Sequence, residues 1–272
     1  MIGIYLGEVP TNVLTTKSDT PMNQSPVILI TGASGGVGQA AALACATDGA
    51  RIAVHYHRNQ AAADALCASL PGAGHRVYGA DITDPSMAES LIQQVVAEMG
   101  QLDVLVNNAG ISARCDITAI DYATWQETWQ RILETNLTAA ANLSFCAAQQ
   151  MIKSGGGRMI NVSSRGAFRG EPLMPWYGAS KAGMNAMGQS LAQALGPKNI
   201  YIYTVAPGFI ETPMAAAILA SPEGDGIRQQ SPIGRVAQAE EVGETIRYLA
   251  LEAPTFMTGG IIDINGASYL RS

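Results

Sequence analysis

From Val27 onward, short runs of β-branched and apolar residues alternate with longer alanine-rich segments. Apolar strands that are each followed by a helix are typical of a parallel sheet covered on both faces. The alternation therefore predicts a doubly wound α/β fold built on a seven-stranded parallel sheet with helices on both faces. The predicted strands are Val27–Thr31, Arg51–Tyr56, Arg76–Ala80, Val104–Asn107, Arg158–Ser163, Ile200–Ala206 and Ile261–Ile264.

The segments between these strands predict six helices. Asp84 and Pro85 mark the start of one of them, because Asp caps a helix N-terminus and Pro fits the first helical position. The predicted helices are Val37–Asp48, Gln60–Leu70, Pro85–Met99, Tyr122–Lys153, Pro175–Leu195 and Ala239–Leu251.

The length of the chain predicts a single domain, since 272 residues fit one large α/β core. We place this domain at residues 26–272. Residues 1–25 show neither helical nor strand periodicity, and we expect a poorly ordered extension there. It lacks the basic start and apolar stretch of a secretory signal. Met22 is a second candidate for the native start.

Charge and cysteine content exclude several classes of protein. The 16 basic and 22 acidic residues give a net charge of −6, which predicts neither a nucleic-acid nor a membrane partner. Apolar runs end well before the roughly 18–20 residues that span a bilayer. The absence of a C-x-x-C pair predicts no metal site and favours the reducing cytoplasm. The widely spaced cysteines are Cys45, Cys67, Cys115 and Cys146.

We expect His55 and His57 to be exposed strand-end residues.

A glycine-rich turn joins the first predicted strand to the first predicted helix. Its pattern from Thr31 to Gly38 is T-G-x-x-x-G-x-G. Glycines let the backbone approach a pyrophosphate, and the helix N-terminus offers free N–H groups and a positive dipole end. The turn therefore predicts a dinucleotide site, whose candidate contacts are Gly32, Ser34, Gly36, Val37 and Gly38.

This spacing resembles the short-chain dehydrogenase/reductase family, and three further segments follow in the order of that family. They are Asp81-Ile82, Asn107-Asn108-Ala109-Gly110 and Pro207-Gly208-Phe209-Ile210-Glu211-Thr212. The resemblance implies a Rossmann fold and a nicotinamide cofactor, with the first Asn bracing the sheet. The cofactor contacts that it implies are Asp81, Ile82, Asn108, Ala109, Gly110, Pro207, Gly208, Ile210 and Thr212.

The end of the second strand bears on the choice of cofactor. An acidic residue about 20 positions beyond the glycine turn would bind the ribose 2′-hydroxyl of NAD. Tyr56, His57 and Arg58 stand there instead, and Arg58 can neutralise a 2′-phosphate. These three candidate contacts favour NADP over NAD. Against this, Gly35 occupies a position where many NADP-using relatives carry arginine.

Tyr177 and Lys181 form a candidate catalytic pair. Residues four apart share a helix face, so the ammonium can lie near the phenol and favour phenolate. The resemblance adds Ser164 as a donor to the substrate oxygen, with Ser163 as a competing candidate. It also implies that Asn136 bends its helix and holds a water that leads to Lys181. Both Tyr177 and Lys181 are expected to contact the cofactor as well.

The resemblance implies an NAD(P)(H)-dependent oxidoreductase that interconverts a carbonyl and a secondary alcohol, with Tyr177 as acid and base. The 3-oxoacyl-carrier-protein reductases and the bacterial glucose dehydrogenases are similar alternatives, and a non-catalytic cofactor sensor or scaffold is an alternative of another class. Carrier-protein reductases often have basic residues where this chain has Gly155 and Lys198, so only one position matches. A homotetramer or homodimer is expected.

The substrate of such an enzyme would meet three segments of the chain: Ser112–Asp116, Arg165–Pro175 and a lid-like segment from Glu211 to Ser231. Arg165 and Arg169 are candidates to bind an anionic substrate. Neither the natural substrate nor the physiological direction follows from these segments.

Overall fold

A computed structural model describes residues 25–212 and 215–271 of the chain. The described residues form nine strands, and the predicted α/β class is confirmed. The strands are β1 (Val27–Ile30), β2 (Arg51–Tyr56), β3 (Arg76–Gly79), β4 (Val104–Asn107), β5 (Gly157–Val162), β6 (Ile200–Pro207), β7 (Ile210–Glu211), β8 (Ala237–Gln238) and β9 (Ile261–Ile264).

Seven of these strands form one parallel sheet in the order β3-β2-β1-β4-β5-β6-β9, and β7 pairs with β8 separately. The strand order reverses beside β1, which pairs with β2 on one side and β4 on the other. Ligands of open α/β sheets bind at the carboxyl ends of the strands next to such a reversal. The fold therefore directs attention to the residues that follow β1 and β4.

Ten α-helices are present in the same part of the chain. They are α1 (Gly36–Thr47), α2 (Gln60–Ser69), α3 (Pro85–Met99), α4 (Tyr122–Leu133), α5 (Ala139–Ser154), α6 (Gly166–Arg169), α7 (Pro175–Leu195), α8 (Ala216–Leu219), α9 (Glu223–Gln229) and α10 (Ala239–Leu251).

The predicted helix Tyr122–Lys153 is divided, because the π-helical turn Glu134–Thr138 separates α4 from α5. The lid-like segment contains the short helices α8 and α9.

The sheet is buried on both faces by two separate apolar clusters. Successive strand residues face opposite sides, so Ile28 and Ile30 pack in a cluster with residues of α1 and α10. Val27 and Leu29 pack in the other cluster, with residues of α3 and α5. All four side chains are fully buried. Burying each of them stabilises the fold by about 1.5–3 kcal/mol relative to exposure.

No helix of the described residues is long and apolar enough to cross a bilayer. The four cysteines are free thiols in the structure. Residues 1–24 lie outside the described residues, so the predicted extension and the alternative start at Met22 remain predictions.

Candidate active site

The glycine turn lies between β1 and α1, at the carboxyl edge of the sheet. Gly32 has φ +62°, a conformation that favours glycine. A Cβ on Gly38 would lie 2.6 Å from the carbonyl oxygen of Gly32, so only hydrogen fits there. The N-cap of α1, Gly35, provides no side-chain hydrogen bond, which leaves N–H groups of the first helical turn for a ligand. Ser34 lies in the turn, and Gly36 and Val37 begin α1.

The segment after β4 braces this turn. The Asn108 amide donates to the carbonyl oxygens of Thr31 at 2.8 Å and Gly32 at 3.2 Å. The Thr31 hydroxyl accepts from the backbone N–H groups of Asn108 and Ala109, at 3.0 Å each. The Asn108 side chain is thus occupied within the protein, and the backbone of Ala109 lies against the glycine turn.

Asn107, one residue earlier, joins three elements of the fold. Its amide donates to the hydroxyl of Ser144 on α5 and to the side-chain oxygen of Asn161 on β5, at 3.0 Å each. This is the bracing position that the sequence predicts for the first Asn of the motif.

The candidate adenine end lies after β2 and β3. His57 and Arg58 are exposed, and His57 Nε2 lies 3.5 Å from Asp81 Oδ2. The hydroxyl and backbone N–H of Thr83 donate to Asp81 and hold the pKa of its carboxyl below the usual range. Ile82 is buried in the core, so its backbone is what can contact a ligand.

Tyr56, the third candidate at the end of β2, has its ring across β3. Its hydroxyl lies 2.7 Å from where a Cβ on Gly79 would stand. The Tyr56 side chain is therefore part of the sheet surface, between the core and the candidate site.

The expectation that His55 is an exposed strand-end residue is wrong. The residue is 1% exposed and forms hydrogen bonds with Gly32 and Ala80 through its two ring nitrogens. The strand β2 lies between β1 and β3, and the glycine turn covers its end through bonds to the ring and the carbonyl of His55, so His55 is buried although it is polar.

The segment after β6 lies across the glycine turn. Gly208 donates to the carbonyl oxygen of Ile264 at 3.0 Å, which continues the pairing beyond Pro207, and Ile210 begins β7. The Thr212 methyl group lies 3.3 Å from where a Cβ on Gly36 would stand. The two predicted halves of the cofactor site thus meet at Gly36 and Thr212.

The candidate catalytic pair lies on α7, as the spacing predicts. The Lys181 ammonium donates to the carbonyl oxygen of Val162 at 2.7 Å and lies 5.8 Å from the centroid of the Tyr177 ring. Burial lowers the pKa of Lys181 to about 8. The ammonium is directed at the carbonyl oxygen of β5, and a hydrogen bond to the phenol is not formed.

Ser164 and Ser163 have different partners. Ser164 accepts from the N–H of Gly166 at 3.0 Å, while the Ser163 hydroxyl donates to the carbonyl oxygen of Lys181. Burial raises the pKa of Tyr177, a hydrogen bond with Ser164 lowers it, and the charge of Glu171 raises it again. The net direction is upward, opposite to the expected effect of Lys181.

Asn136 lies in the π-helical turn and is fully buried. Its side chain accepts from the N–H of Ile111 at 2.8 Å and donates to the carbonyl oxygen of the same residue at 2.9 Å. A Cβ on Gly110 would lie 3.4 Å from both Asn136 Oδ1 and Lys181 Nζ. The π-turn thus brings Asn136 and Lys181 to opposite sides of the same glycine, and π-turns are frequent at functional sites; the water between them that the resemblance implies remains a prediction.

Sequence reasoning missed the carboxylate of Glu171. Its side chain is only 15% exposed, and Oε1 lies 4.0 Å from Arg165 Nη2 and 3.8 Å from Arg169 Nε. Arg165 also donates to Ser268, and Arg169 donates to Gln230. Both arginines therefore have partners within the protein, and the geometry does not favour them as free anion ligands. No spacing in the sequence signals a lone acid in a loop.

Comparison with known proteins defines the class. A family described as "Enoyl-(Acyl carrier protein) reductase" matches residues 32–267, and the chain belongs to this family of short-chain dehydrogenases/reductases. It is an NAD(P)-dependent oxidoreductase that acts on carbonyl or alcohol groups.

Particular relatives are similar over nearly their whole length. The 3-oxoacyl-[acyl-carrier-protein] reductase FabG of Escherichia coli (strain K12) is 34% identical over 250 residues, which cover 91% of this chain and 98% of that protein. The 3-oxoacyl-[acyl-carrier-protein] reductase of Synechocystis is 34% identical over 247 residues, 90% of this chain and 97% of that protein. The Thermotoga maritima FabG is 34% identical over 245 residues, with 89% and 97% covered.

The described residues hold no group of three or more His, Cys, Asp or Glu side chains placed to bind a metal ion. The candidate site thus consists of hydroxyl, amide and ammonium groups beside a glycine-lined cradle.

Proposed function

We propose that this protein reduces a ketone with NADPH, and that Ser164, Tyr177 and Lys181 carry the reaction with support from Asn136. The observation that carries the proposal is the place of Tyr177 and Lys181 on one helix, α7, with the Lys181 ammonium 5.8 Å from the centroid of the Tyr177 ring. When bound, NADPH supplies the hydride.

The residues of the chain handle the oxygen of the substrate. The hydroxyl groups of Ser164 and Tyr177 hold the carbonyl oxygen by hydrogen bonds, which stabilise the charge that develops on it. Tyr177 then transfers its phenolic proton to this oxygen, and the alcohol is formed. Its raised pKa suits this direction, because the phenol stays protonated at neutral pH. In this proposal Lys181 and Asn136 return a proton to Tyr177 through water.

The preference for NADPH over NADH rests on the exposed side chains after β2. Arg58 offers positive charge at the carboxyl edge, the ring of the neighbouring His57 can form a hydrogen bond, and no acid in β2 opposes a 2′-phosphate. Replacing Arg58 with Ala is expected to weaken NADPH binding about tenfold, since a charge-assisted bond is lost, and to leave NADH binding unchanged. Arg76→Ala is a matched control at the amino end of β3, where Arg76 pairs with Glu98.

A 3-oxoacyl thioester is the substrate class that we propose first, because the relatives reported above bear that name. The deciding experiment measures NADPH consumption with an acetoacetyl thioester, simple ketones and sugars, using Tyr177→Phe as control. Turnover of the thioester that this variant abolishes supports the proposal. Cofactor binding without turnover of any compound would favour a cofactor sensor or scaffold instead.

We further propose that the chain acts in the cytoplasm as a homotetramer or homodimer. Free thiols suit a reducing compartment. Phe145 and Ile152 lie seven residues apart on α5 with exposed fractions of 66% and 39%, which makes one apolar face available to a second copy. Light scattering that gives the mass of a monomer would contradict the assembly, and Phe145→Glu is expected to weaken it.

A further inference from the structure

His55 connects the two segments on either side of the end of β2. Its Nδ1 accepts from the backbone N–H of Gly32 at 3.1 Å, and its Nε2 bonds with the carbonyl oxygen of Ala80 at 3.1 Å. An N–H group can only donate and a carbonyl oxygen can only accept. The ring proton therefore lies on Nε2, and Nδ1 carries a lone pair.

The peptide of Gly32 is held from two sides by these contacts. His55 fixes its N–H group, while the Asn108 amide donates to its carbonyl oxygen at 3.2 Å. The backbone carbonyl of His55 also accepts from Ala33 at 3.0 Å. On the other side of the ring, Ala80 directly precedes Asp81, the candidate adenine contact.

We propose that His55 is a positioning residue for the cofactor, whose neutral imidazole aligns the pyrophosphate-binding turn with the adenine-binding segment. This inference rests on the proposed function, since it takes the glycine turn to be the dinucleotide site. Both nitrogens of the buried ring already form hydrogen bonds, so the ring has none left for a substrate. His55 therefore affects the affinity for the dinucleotide, and the residues of α7 carry out the chemical step.

Protonation would remove this alignment. A proton on Nδ1 would face the N–H of Gly32, so two donors would oppose each other where water does not reach. Burial lowers the pKa of His55 to about 4; the bond to Ala80 raises it, the charge of His57 lowers it and that of Asp81 raises it. The glycine turn presents only peptide groups to the ring. Cofactor binding should therefore weaken as the pH approaches 4.

The chain offers a matched control in His75. Its Nδ1 accepts from the N–H of Ile52 at 3.1 Å, and its Nε2 bonds with the carbonyl oxygen of Pro71 at 2.9 Å. The bonding pattern is the same as that of His55, but it lies at the start of β2, at the opposite edge of the sheet from the candidate cofactor site.

The experiment compares wild type, His55→Leu, His55→Asn and His75→Leu by calorimetric titration with NADP⁺ and NAD⁺ at pH 7.5. His55→Leu leaves the partly buried N–H of Gly32 without its acceptor and should raise both Kd values about tenfold or more. The kcat at saturating cofactor should stay within about threefold, since no transition-state contact is lost. His55→Asn supplies an acceptor oxygen near the position of Nδ1, and its Kd should change by about threefold or less. His75→Leu should leave both Kd values unchanged.

A pH series with NAD⁺, which lacks the titrating 2′-phosphate, gives a second readout that does not need the leucine variant to fold. The Kd of the wild type should rise as the pH falls from 5.5 to 4, toward the pKa of His55, while that of His55→Asn stays flatter, with circular dichroism confirming that both remain folded. If His55→Leu is folded and its Kd is unchanged, the inference is overturned while the proposed function stands. The same holds if the pH profiles of wild type and His55→Asn are parallel. A wild type that binds neither cofactor overturns the proposed function, and the inference with it.

Discussion

The hydroxyl of Ser163 donates a hydrogen bond to the backbone carbonyl oxygen of Lys181 across 3.2 Å. In this bond the donor follows β5 and the acceptor is on α7. In a second bond the roles are exchanged, because the Lys181 ammonium donates to the carbonyl oxygen of Val162. Together the two bonds join the end of β5 to the middle of α7. The next residue is Ser164, whose hydrogen bond with Tyr177 lowers the pKa of that phenol.

Adjacent serines should therefore respond differently to the same substitution. Ser164→Ala is expected to lower kcat about 10²–10³-fold, the usual effect of losing one donor to a developing oxyanion, with little change in stability. Ser163→Ala should cost about 1 kcal/mol of stability, because one buried hydrogen bond is lost, and should lower kcat less than about tenfold. Steady-state kinetics and urea unfolding of both variants test this pair. Equal losses of kcat would contradict the assignment of Ser164.

Alanine substitutions at two glycines of the turn should have different effects on cofactor binding. Gly38→Ala places a Cβ 2.6 Å from both the Gly32 carbonyl oxygen and the Asn108 amide nitrogen, so the backbone must shift. The expected result is a cofactor Kd raised tenfold or more and a stability loss of about 1–3 kcal/mol. Gly35→Ala is the control, because φ is −161° there and nothing lies within 4 Å of the new methyl group. Fluorescence titration with NADPH compares them, and similar Kd values would count against a close approach of the cofactor to α1.

The seven strands of the main sheet and the position of the glycine turn follow from local patterns that the sequence displays. Apolar runs such as Val104–Asn107 are buried on both faces, so their periodicity is unambiguous. The Tyr177–Lys181 spacing needs only one helix to bring the pair together. The predicted elements agree with the structure because the information lies within a few neighbouring residues.

Other features depend on contacts between segments far apart in the chain. The bond from Gly32 to His55 spans 23 residues, and a polar strand-end residue does not reveal that a turn will cover it. From the sequence, Glu171 is expected to be a solvated acid in a loop. Only the packing of this loop in the folded protein reduces the exposure of its side chain to 15%. The π-turn at Asn136 needs the contact with Ile111, 25 residues earlier, to stabilise it. Sequence periodicity carries none of these relationships.

The neutral His55 should make stability depend on pH. Its pKa is about 4 in the folded chain and ordinarily 6.5, so above pH 6.5 both states are neutral and no effect is seen. As the pH falls toward 4, the unfolded chain binds the proton first, and up to about 3 kcal/mol of stability is lost. His55→Asn should lack this loss. Urea unfolding at pH 7 and 4.5 measures the difference, and equal changes for wild type and variant would exclude His55 as its source.

The carboxylate of Glu171 should set the alkaline limit of carbonyl reduction. Its negative charge raises the pKa of Tyr177, so Glu171→Gln lowers that pKa and the phenol ionises earlier. Reduction needs the protonated phenol, and the alkaline limb of the kcat profile therefore moves to lower pH. The variant also leaves the buried Arg165 without its nearest negative charge, at a cost of about 1–2 kcal/mol. Glu223→Gln is the matched control, because Glu223 pairs with Arg114 on the surface. If both variants keep the pH profile of the wild type, Glu171 does not act on Tyr177.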